Sequence, residues 1–436
     1  RYFIQHKIPF SPYYAKLFKE NKINFSDIKT ASDLKKLPFT SKEDIAPTKN
    51  NPKKHTDFIL QPNKNTIKIY SAKLDLLKYS LNKNSAFREF NPIHLHFTTG
   101  RTANTVPFLY TAYDLEKLRE SGRRLMNIFG INKNDKLVNA FPYAPHLAFW
   151  QTFFAAEASG LFALHTGGGK ILGTKKIIKA IENTKATLLS SIPGFAYHLL
   201  REAKSQGADF SSVKKVFFGG ERVSKGMRDK IKGMLKGLGS ANPEIFATYA
   251  FTEGKVGWVE CSEHSGYHLY PDMEYIEVID KNRENAAEEE KGEIVYTALD
   301  FRGTVVLRYK TGDIGSITYE KCICGRTVPR ISSEIERSSE IKEFNLTKIK
   351  GTIVNLNSFF DLLNIKEIEE WQVEIKKKNN DPYELDELIV YIAPKKNIDF
   401  IKLKTNIKNL LKDELEITPE IVKIELKELL DRLGME

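Results

Sequence analysis

The sequence predicts an α/β fold: a large layered N-terminal domain that ends in a β-rich part, followed by a small α+β C-terminal domain. Between about 93 and 300, apolar segments of strand length alternate with amphipathic helical segments, which is typical of helices layered on a largely parallel sheet. From 267 to 335 the pattern becomes β-rich. After about 337, two strand patterns and two amphipathic helices predict a second, smaller unit.

The same changes of pattern predict the domain boundaries. We expect residues 1–336 to form the N-terminal domain, with its β-rich part at about 261–336, and residues 337–436 to form the C-terminal domain. Residues 1–60 have the pattern of short helices joined by turns, in which Thr40 or Ser41 can cap a helix. The chain begins without a methionine and stops abruptly, so we expect trimmed ends and a truncated C-terminal domain.

The composition is that of a globular, cytoplasmic protein. Of the 436 residues, 41% are hydrophobic and 28% are charged, which excludes a disordered chain. The longest apolar stretch, 147–164, is interrupted by Gln151 and Glu157, which excludes a convincing membrane span. No apolar leader opens the chain, so we expect a cytoplasmic location. A homodimer is the commonest default for such a protein.

The net charge is +11, from 67 Lys and Arg against 56 Asp and Glu. A positive net charge of this size is compatible with a nucleic-acid partner. The lysines are scattered, however, and no aromatic residues are interleaved with them as in a nucleic-acid groove. We therefore expect a dispersed surface charge and no nucleic-acid partner.

A Thr/Gly turn follows the strand pattern at 94–97. Thr98, Thr99 and Gly100 offer hydroxyl and backbone N–H groups that can hold phosphate oxygens, and Arg101 adds a positive charge. Taken alone, an ordinary β-turn is the simpler interpretation.

Three further polar segments stand where apolar strand patterns end, which is where layered α/β sheets place their ligands. In 249–253, Thr252 offers a hydroxyl to a phosphate and Glu253 a carboxylate to a hard cation. In 219–221, two glycines allow a flat ligand to approach the backbone. Asp313 closes a strand, where its carboxylate can accept two hydrogen bonds from a ribose diol. Each segment alone could equally be an ordinary loop.

In this order and spacing, the four motifs resemble the adenylate-forming superfamily of acyl- and aryl-CoA ligases, and more closely its phenylacetate–CoA ligase family. Further matches are LPFTSKEDI near the start, AFPYAPHLAFW at 140–150 and CGRTVPR at 324–330. The resemblance covers nearly the whole chain. It implies that ATP activates a carboxylic acid to an acyl-adenylate with release of pyrophosphate, and that the acyl group then passes to the thiol of CoA.

The resemblance implies an ATP site built from the four turns. The residues implied for nucleotide binding are Thr98, Thr99, Gly100 and Arg101 at the β- and γ-phosphates, Gly219, Gly220, Glu221 and Tyr249 at the adenine, and Asp313 and Arg337 at the ribose.

The resemblance also implies four catalytic residues. Thr252 would contact the α-phosphate, Glu253 would bind Mg²⁺, and His146 would lie near the substrate carboxylate. Lys350 matches a loop that swings in for thiol transfer, which implies a mobile C-terminal domain. For His146, an ordinary histidine at the start of a helix is an equal alternative.

The acyl pocket is expected from the segment 140–150, with Phe149 and Trp150 as its wall. This apolar, aromatic segment suits an aryl or medium-length acyl group better than an amino acid, which needs a buried charge partner. Within the same chemistry, a carrier-protein phosphopantetheine or a protein cysteine is the alternative acceptor.

Several departures from the family pattern motivate a different interpretation, a degenerate and non-catalytic nucleotide-binding protein. His96 and Phe97 stand where the family carries small residues, and Ser339 stands at the expected hinge aspartate. No Gly-Lys signature follows near the C-terminus to match the lysine of the adenylation step.

The three cysteines of the chain, Cys261, Cys322 and Cys324, lie in two segments that flank the β-rich part. Three thiolates and one imidazole form a recognised closed set for a structural Zn²⁺, and the family resemblance adds such a site here. We expect His268 as the fourth ligand, with His264 as the alternative. Small buried cysteines without a metal are the competing interpretation.

Overall fold

The predicted fold class is confirmed: the protein is a mixed α/β structure with a small α+β unit at its C-terminal end. The computed structural model describes residues 1–98, 105–337, 359, 362–377, 386–415 and 418–432.

Helices and strands alternate over most of the N-terminal unit. The helices are α1 (Tyr2–His6), α2 (Pro12–Glu20), α3 (Lys42–Ile45), α4 (Lys64–Tyr70), α5 (Lys73–Leu81), α6 (Lys83–Phe90), α7 (Ala112–Ile128), α8 (Leu147–Ala158), α9 (Gly169–Leu172), α10 (Thr174–Thr184), α11 (Pro193–Ser205), α12 (Lys225–Gly237), α13 (Phe400–Leu415) and α14 (Leu426–Arg432). The strands are β1 (Pro92–Phe97), β2 (Pro107–Thr111), β3 (Lys136–Asn139), β4 (Phe162–His165), β5 (Leu188–Ser191), β6 (Lys215–Phe218), β7 (Glu244–Ala250), β8 (Gly257–Glu260), β9 (Tyr267–His268), β10 (Glu274–Ile279), β11 (Gly292–Ala298), β12 (Tyr309–Gly315), β13 (Ile317–Thr318), β14 (Arg330–Ile331), β15 (Glu336–Arg337), β16 (Ile368–Lys377), β17 (Asp386–Pro394) and β18 (Glu420–Lys423).

A nine-stranded sheet forms the centre of the molecule, in the order β13-β14-β9-β8-β7-β6-β5-β3-β4. Strands β4, β3, β5, β6 and β7 are parallel, β8 pairs antiparallel with β7, and β9 pairs antiparallel with β8. Parallel neighbours need crossover connections, which α8, α10, α11 and α12 supply. The carboxyl ends of β5, β6 and β7 therefore meet at one edge of the sheet.

Two smaller sheets complete the N-terminal unit. Strands β10, β11, β12 and β15 form an antiparallel sheet, and β1 and β2 form a hairpin. The N-terminal segment joins the four-stranded sheet, because Thr40 bridges to Tyr309 beside β12. Ser41, rather than Thr40, caps α3, and its backbone N–H donates to Asp44 at 2.8 Å.

The C-terminal unit has a three-stranded sheet, β16-β17-β18, packed against α13 and α14. Its apolar side chains form a separate core, which includes Phe359, Leu363, Val390 and Ile407. The boundary at 336/337 stays a prediction. Within the described ranges, none of the helices combines the length and the apolar character that a membrane span requires.

Candidate active site

A cleft of about 590 Å³ opens at the edge where β1, β6 and β7 end. Segments that are far apart in the sequence meet there. The lining residues are 41–43, Thr98, 146–148, Gly220, 250–253, Glu293 and 309–312. Five of the site residues predicted from the sequence therefore line one cavity. Thr98 and Thr252 were expected at the phosphates, His146 at the substrate carboxylate, Glu253 at the metal and Gly220 at the adenine.

Thr98 closes the Thr/Gly turn at its base. Its backbone N–H donates to the carbonyl of Val106, and its hydroxyl accepts from the N–H of Val106, each at 3.0 Å. A hydroxyl that accepts one bond still has a proton to donate to a ligand oxygen. The other three turn residues, Thr99, Gly100 and Arg101, lie outside the described residues.

The carbonyl of Phe97 holds two predicted catalytic residues together. The hydroxyl of Thr252 donates to it at 3.4 Å, and the imidazole Nδ1 of His146 lies 3.2 Å from it. His146 is also the N-cap residue of α8, without a side-chain capping bond. Its ring is therefore oriented by the strand end rather than by the helix.

Glu253 lies in a single 3-10 turn directly after β7. One carboxylate oxygen, Oε1, accepts a hydrogen bond from the hydroxyl of Tyr309 at 2.9 Å. This contact joins the turn after β7 to the start of β12, on which Lys310 pairs with Glu293 at 2.7 Å. The carboxylate is thus held in place at the lining of the cleft.

Tyr249, expected at the adenine, forms a hydrogen bond with Asp313, expected at the ribose. The hydroxyl of Tyr249 donates to the carboxylate of Asp313 at 2.7 Å, and the backbone N–H of Asp313 donates to Thr311 at 3.1 Å. Asp313 pairs with Arg337 across β12 and β15. Nothing is described of the Arg337 side chain, and Lys350 lies outside the described residues.

The glycines after β6 are required by their surroundings. A Cβ on Gly219 would lie 2.6 Å from the hydroxyl of Thr248, and Gly220 has a φ of +81°, which side chains rarely adopt. Together they leave a flat strip of backbone beside the cleft. Glu221 follows on the surface.

His96, the departure from the family pattern, does not line the cleft. It is fully buried on β1, where its ring nitrogens lie 2.9 Å from His94 and 2.9 Å from the hydroxyl of Tyr110. Burial, followed by the nearby His94 and Lys255, lowers the pKa of His96 to about 3. The ring is therefore neutral at physiological pH and serves as a packed, hydrogen-bonded support of the hairpin.

Sequence reasoning missed several polar residues of the cleft, among them Lys42, Tyr309 and Lys310. All three lie inside or beside segments that carried the resemblance, LPFTSKEDI and RYKTGD. That proximity was the available signal. What the sequence did not indicate is that the two segments are bridged, with the N–H of Lys310 donating to Thr40 at 2.8 Å.

A second cluster lies away from the cleft, where β8, β9 and the turn before β14 meet. Cys261, His268, Cys322 and Cys324 place one ligand atom each within 4.8 Å of one another. The sulfurs of Cys261 and Cys322 are 3.7 Å apart. His264 lies outside this group, with its Nδ1 3.3 Å from Glu260.

The charge environment differs within this cluster: burial raises the pKa of the Cys261 thiol to about 11, whereas the pKa of Cys324 is lowered. Burial raises the pKa of Cys324, but the backbone and guanidinium of Arg326 and the neighbouring Cys322 outweigh burial, so that the net pKa is about 7. The guanidinium lies 3.4 Å from the sulfur of Cys324.

The model of the AMP-binding enzyme family matches residues 32–299. This chain belongs to the AMP-binding enzyme family. The predicted membership of the adenylate-forming superfamily is thereby confirmed, while the roles implied for single residues remain predictions.

Curated relatives within the AMP-binding family support the narrower resemblance. The phenylacetate–coenzyme A ligase of Thermus thermophilus is 24% identical over 333 residues, which cover 76% of this chain and 66% of that enzyme. The phenylacetate–coenzyme A ligase of Escherichia coli is 23% identical over 348 residues, covering 79% and 71%. The similar region thus spans about two thirds of these enzymes.

Solved structures extend the similarity of fold to nearly the whole chain. A 2-hydroxyisobutyryl-CoA ligase in the postadenylation state, with its acyl-adenylate bound, has a TM-score of 0.76 at 19% identity and covers 99% of this chain and 89% of that one. The same ligase in the thioesterification state, with acyl-adenylate and CoA, has a TM-score of 0.64 at 19% identity, covering 99% and 90%. At this identity the likeness establishes the fold.

Proposed function

We propose that this AMP-binding family member is an AMP-forming carboxylate–CoA ligase, which activates a carboxylic acid to an acyl-adenylate and then transfers the acyl group to CoA. The observation that carries the proposal is the convergence of Thr98, His146, Thr252 and Glu253 on one cleft beside the Tyr249–Asp313 pair. The relatives named as phenylacetate–coenzyme A ligases and the CoA-bound ligase of the same fold support CoA as the acceptor.

Catalysis in this site is mainly a matter of positioning and of neutralising charge. The substrate carboxylate attacks the α-phosphate, and pyrophosphate leaves. The Thr252 hydroxyl, which donates to the Phe97 carbonyl, would turn its one proton to an α-phosphate oxygen when ATP binds, and His146, which contacts the same carbonyl, would orient the carboxylate. Because both side chains contact the same carbonyl, the end of β1 sets the distance between them.

Glu253 fits a magnesium site. Its carboxylate is a hard oxygen ligand, and the Tyr309 bond fixes one oxygen while leaving the other for the metal. A magnesium ion bound there would neutralise phosphate charge. The neighbouring cation Lys310 lines the same cleft and is held by Glu293.

The nucleoside would lie across the carboxyl edge of the sheet. Its ribose hydroxyls would bind Asp313, its adenine would lie on the backbone of Gly219 and Gly220, and Tyr249 would cover the other face. The Tyr249–Asp313 bond preorganises two of these contacts before ATP arrives. Arg337, Arg101 and Lys350 keep their implied roles at the ribose, the phosphates and the thiol-transfer step.

ATP–pyrophosphate exchange tests the proposal. With Mg²⁺ and a panel of carboxylic acids, we expect acid-dependent exchange that Glu253→Gln lowers about 100-fold or more, because it removes the carboxylate that would hold Mg²⁺ at the phosphates. The exposed carboxylate Glu284 is the matched control, and Glu284→Gln should leave the rate unchanged. ATP binding without exchange for any acid would instead favour the degenerate, non-catalytic protein.

A separate measurement identifies the thiol that accepts the acyl group. Free CoA and a phosphopantetheine-loaded carrier protein are offered to the acyl-adenylate, and the thioester is detected by mass spectrometry. We expect acyl-CoA to form. If only the carrier protein or a protein cysteine is acylated, that thiol and not CoA is the acceptor.

We also propose that the four-residue cluster holds a structural zinc ion. Zinc bonds to thiolates of about 2.3 Å in a tetrahedron place two sulfurs about 3.8 Å apart, which matches Cys261 and Cys322 at 3.7 Å. His268→Ala should lower the zinc content, measured by mass spectrometry, from about one per chain to near zero. His264→Ala should keep it, because that ring contacts Glu260 instead. Equal zinc content in both variants would contradict the site.

A further inference from the structure

A second, smaller cavity lies directly behind the cleft. Its volume is about 50 Å³, and Leu147, Ala148, Gly220 and Ala250 line both spaces. If the proposed adenylation takes place beside Thr252 and His146, the carbon chain of the acid has this adjoining space to enter.

The walls of this inner cavity exclude a charged tail. None of the lining residues carries a charge, and most are apolar, among them Leu125, Met126, Phe129, Phe141, Ala155 and Phe217. A carboxylate or ammonium group buried here would have no opposite charge beside it, which is strongly unfavourable.

The polar side chains of these walls are already bonded within the protein. Gln151 accepts from the N–H of Gly257 at 3.1 Å and donates to the carbonyl of Leu118 at 3.3 Å. The hydroxyl of Ser190 donates to Asn139 at 3.0 Å, and that of Thr248 donates to the carbonyl of Phe218 at 2.9 Å. A ligand in the cavity can therefore make apolar contacts and donate to side-chain oxygens. The lining offers it no charged group and no side-chain amide that lacks a partner.

Two of the lining residues, Phe129 and Phe217, form a closely packed aromatic wall. Phe129 and Phe217 stack there with ring centroids 4.0 Å apart and 26° between their planes. The wall behind is also closely packed, because a Cβ on Gly122 of α7 would lie 2.6 Å from the Cα of Ala155 on α8. A cavity of about 150 Å³ is known to hold one benzene molecule, and this space is about a third of that.

We propose that the inner cavity selects acids with a short, uncharged acyl chain, and that Phe217, stacked on Phe129, sets the limit of chain length. At roughly 10–15 Å³ for each water-sized group, the cavity admits about three to five non-hydrogen atoms. Propanoyl and branched butanoyl groups fit this size, whereas a phenylacetyl group exceeds it. The inference rests on the proposed adenylation, and it departs from the aryl or medium-length acyl group expected from the sequence.

Binding of stable acyl-adenylate analogues tests the limit without requiring turnover. The probes are N-acylsulfamoyl adenosines that carry propanoyl, 2-methylpropanoyl or phenylacetyl groups, with affinities measured by calorimetry. We expect the two short analogues to bind the wild-type protein at least tenfold more tightly than the phenylacetyl analogue. Phe217→Ala should reduce this ratio at least tenfold, and Phe217→Leu should do so partly if the alanine variant folds poorly.

Phe246 provides the matched control. Its ring lies 5.1 Å from that of Phe129 and 6.0 Å from that of Phe217, but it does not line the cavity. Phe246→Ala should therefore keep the wild-type preference. Equal loss of preference in Phe246→Ala would show general loosening of the core and overturn the role of Phe217.

The analogue series distinguishes a failure of the chain-length limit from a failure of the proposed adenylate-forming function. If the phenylacetyl analogue binds the wild-type protein as tightly as the short ones, the chain-length limit is overturned while adenylate binding stands. If no analogue binds, the proposed adenylate-forming function fails, and the chain-length inference fails with it.

Discussion

Glu274 shows how burial alone shifts the chemistry of one residue. It is fully buried, its Oε1 accepts from the indole N–H of Trp258 at 2.8 Å and from the N–H of Tyr270 at 2.5 Å, and burial raises its pKa to about 8. The unfolded chain titrates near the ordinary value of 4.5. Between these two pH values the folded state therefore binds more protons than the unfolded state.

We predict from this that Glu274 makes the protein less stable as pH rises. Its contribution to the free energy of unfolding should fall between about pH 4.5 and pH 8, by an amount on the order of a few kcal/mol. Glu274→Gln keeps an acceptor oxygen for both donors but does not titrate, so its stability relative to wild type should increase over this range. Urea unfolding at pH 5 to 8.5 measures the difference. The exposed Glu20→Gln serves as control, and a constant difference for Glu274→Gln would refute the shifted pKa.

At the residue scale, the sequence indicated five of the residues that line the cleft, Thr98, His146, Gly220, Thr252 and Glu253, but not the hydrogen bonds inside it. Thr252 and Glu253 were selected because they follow an apolar strand pattern, and the carboxyl ends of parallel strands meet at one edge of a sheet. Asp313 lies within β12 of the antiparallel sheet instead. The Glu253–Tyr309 and Tyr249–Asp313 bonds join residues 56 and 64 positions apart. Such pairs depend on how two sheets meet, which no local pattern specifies.

Helix α8 illustrates the same limit at the scale of an element. The sequence predicted Phe149 and Trp150 as the wall of the acyl pocket, which stays a prediction, whereas the inner cavity is lined by Leu147, Ala148 and Gln151 of this helix. Phe149 and Trp150 instead pack with Tyr143, at 5.3 and 6.0 Å between ring centroids. Because α8 is apolar on nearly every side, its sequence did not specify which face would border the pocket.

Helix α7 is connected to the turn after β7 by a buried ion pair. Lys255 lies directly beyond the Thr252–Glu253 turn, and its ammonium donates to Asp114 at 3.0 Å and to the carbonyl of Leu109 at 2.8 Å. Asp114 also accepts from the backbone N–H of Gly303 at 2.7 Å. Both charged side chains are almost completely buried. The pair thus holds the Thr252–Glu253 turn against the β1–β2 hairpin.

Lys255→Met should destabilise the protein by about 3–5 kcal/mol, because it leaves the Asp114 carboxylate buried without its cation. The exposed pair Lys16–Glu20 is the matched comparison, and Lys16→Met should cost less than about 1 kcal/mol. Equilibrium unfolding in urea measures both values. Similar losses in the two variants would mean that the buried pair contributes no more than a surface pair.

At the scale of the whole molecule, the sequence predicted the order of the units and their fold class. It did not predict how they touch. The C-terminal unit meets α12 through polar contacts: the amide of Asn364 donates to the carbonyl of Gly226 at 2.9 Å, and Lys230 donates to the carbonyl of Glu369 at 3.1 Å. Lys230 also pairs with Glu370 at 3.6 Å. These residues are dispersed lysines and glutamates in the sequence, without a pattern that marks an interface.

Lys230 is the central residue of this contact. Its ammonium lies 4.6 Å from the ring centroid of Tyr197 on α11, and burial, followed by Glu370, raises the pKa of that tyrosine. The carboxylate of Glu370 is largely buried. Removal of the cation therefore leaves a carboxylate beside an aromatic ring in a partly dehydrated interface, which is unfavourable by about 1–3 kcal/mol.

Lys230→Ala should loosen the C-terminal unit without unfolding the rest. Since every 1.4 kcal/mol is about tenfold in an equilibrium constant, hydrogen exchange of the β16 and β17 amides should become about five- to a hundredfold faster, while β5 and β6 stay protected. Lys236→Ala, an exposed lysine on the same helix, is the control and should leave both sets unchanged. Unchanged exchange in Lys230→Ala would mean that the separate apolar core of the C-terminal unit, and not this contact, determines how firmly its sheet is held.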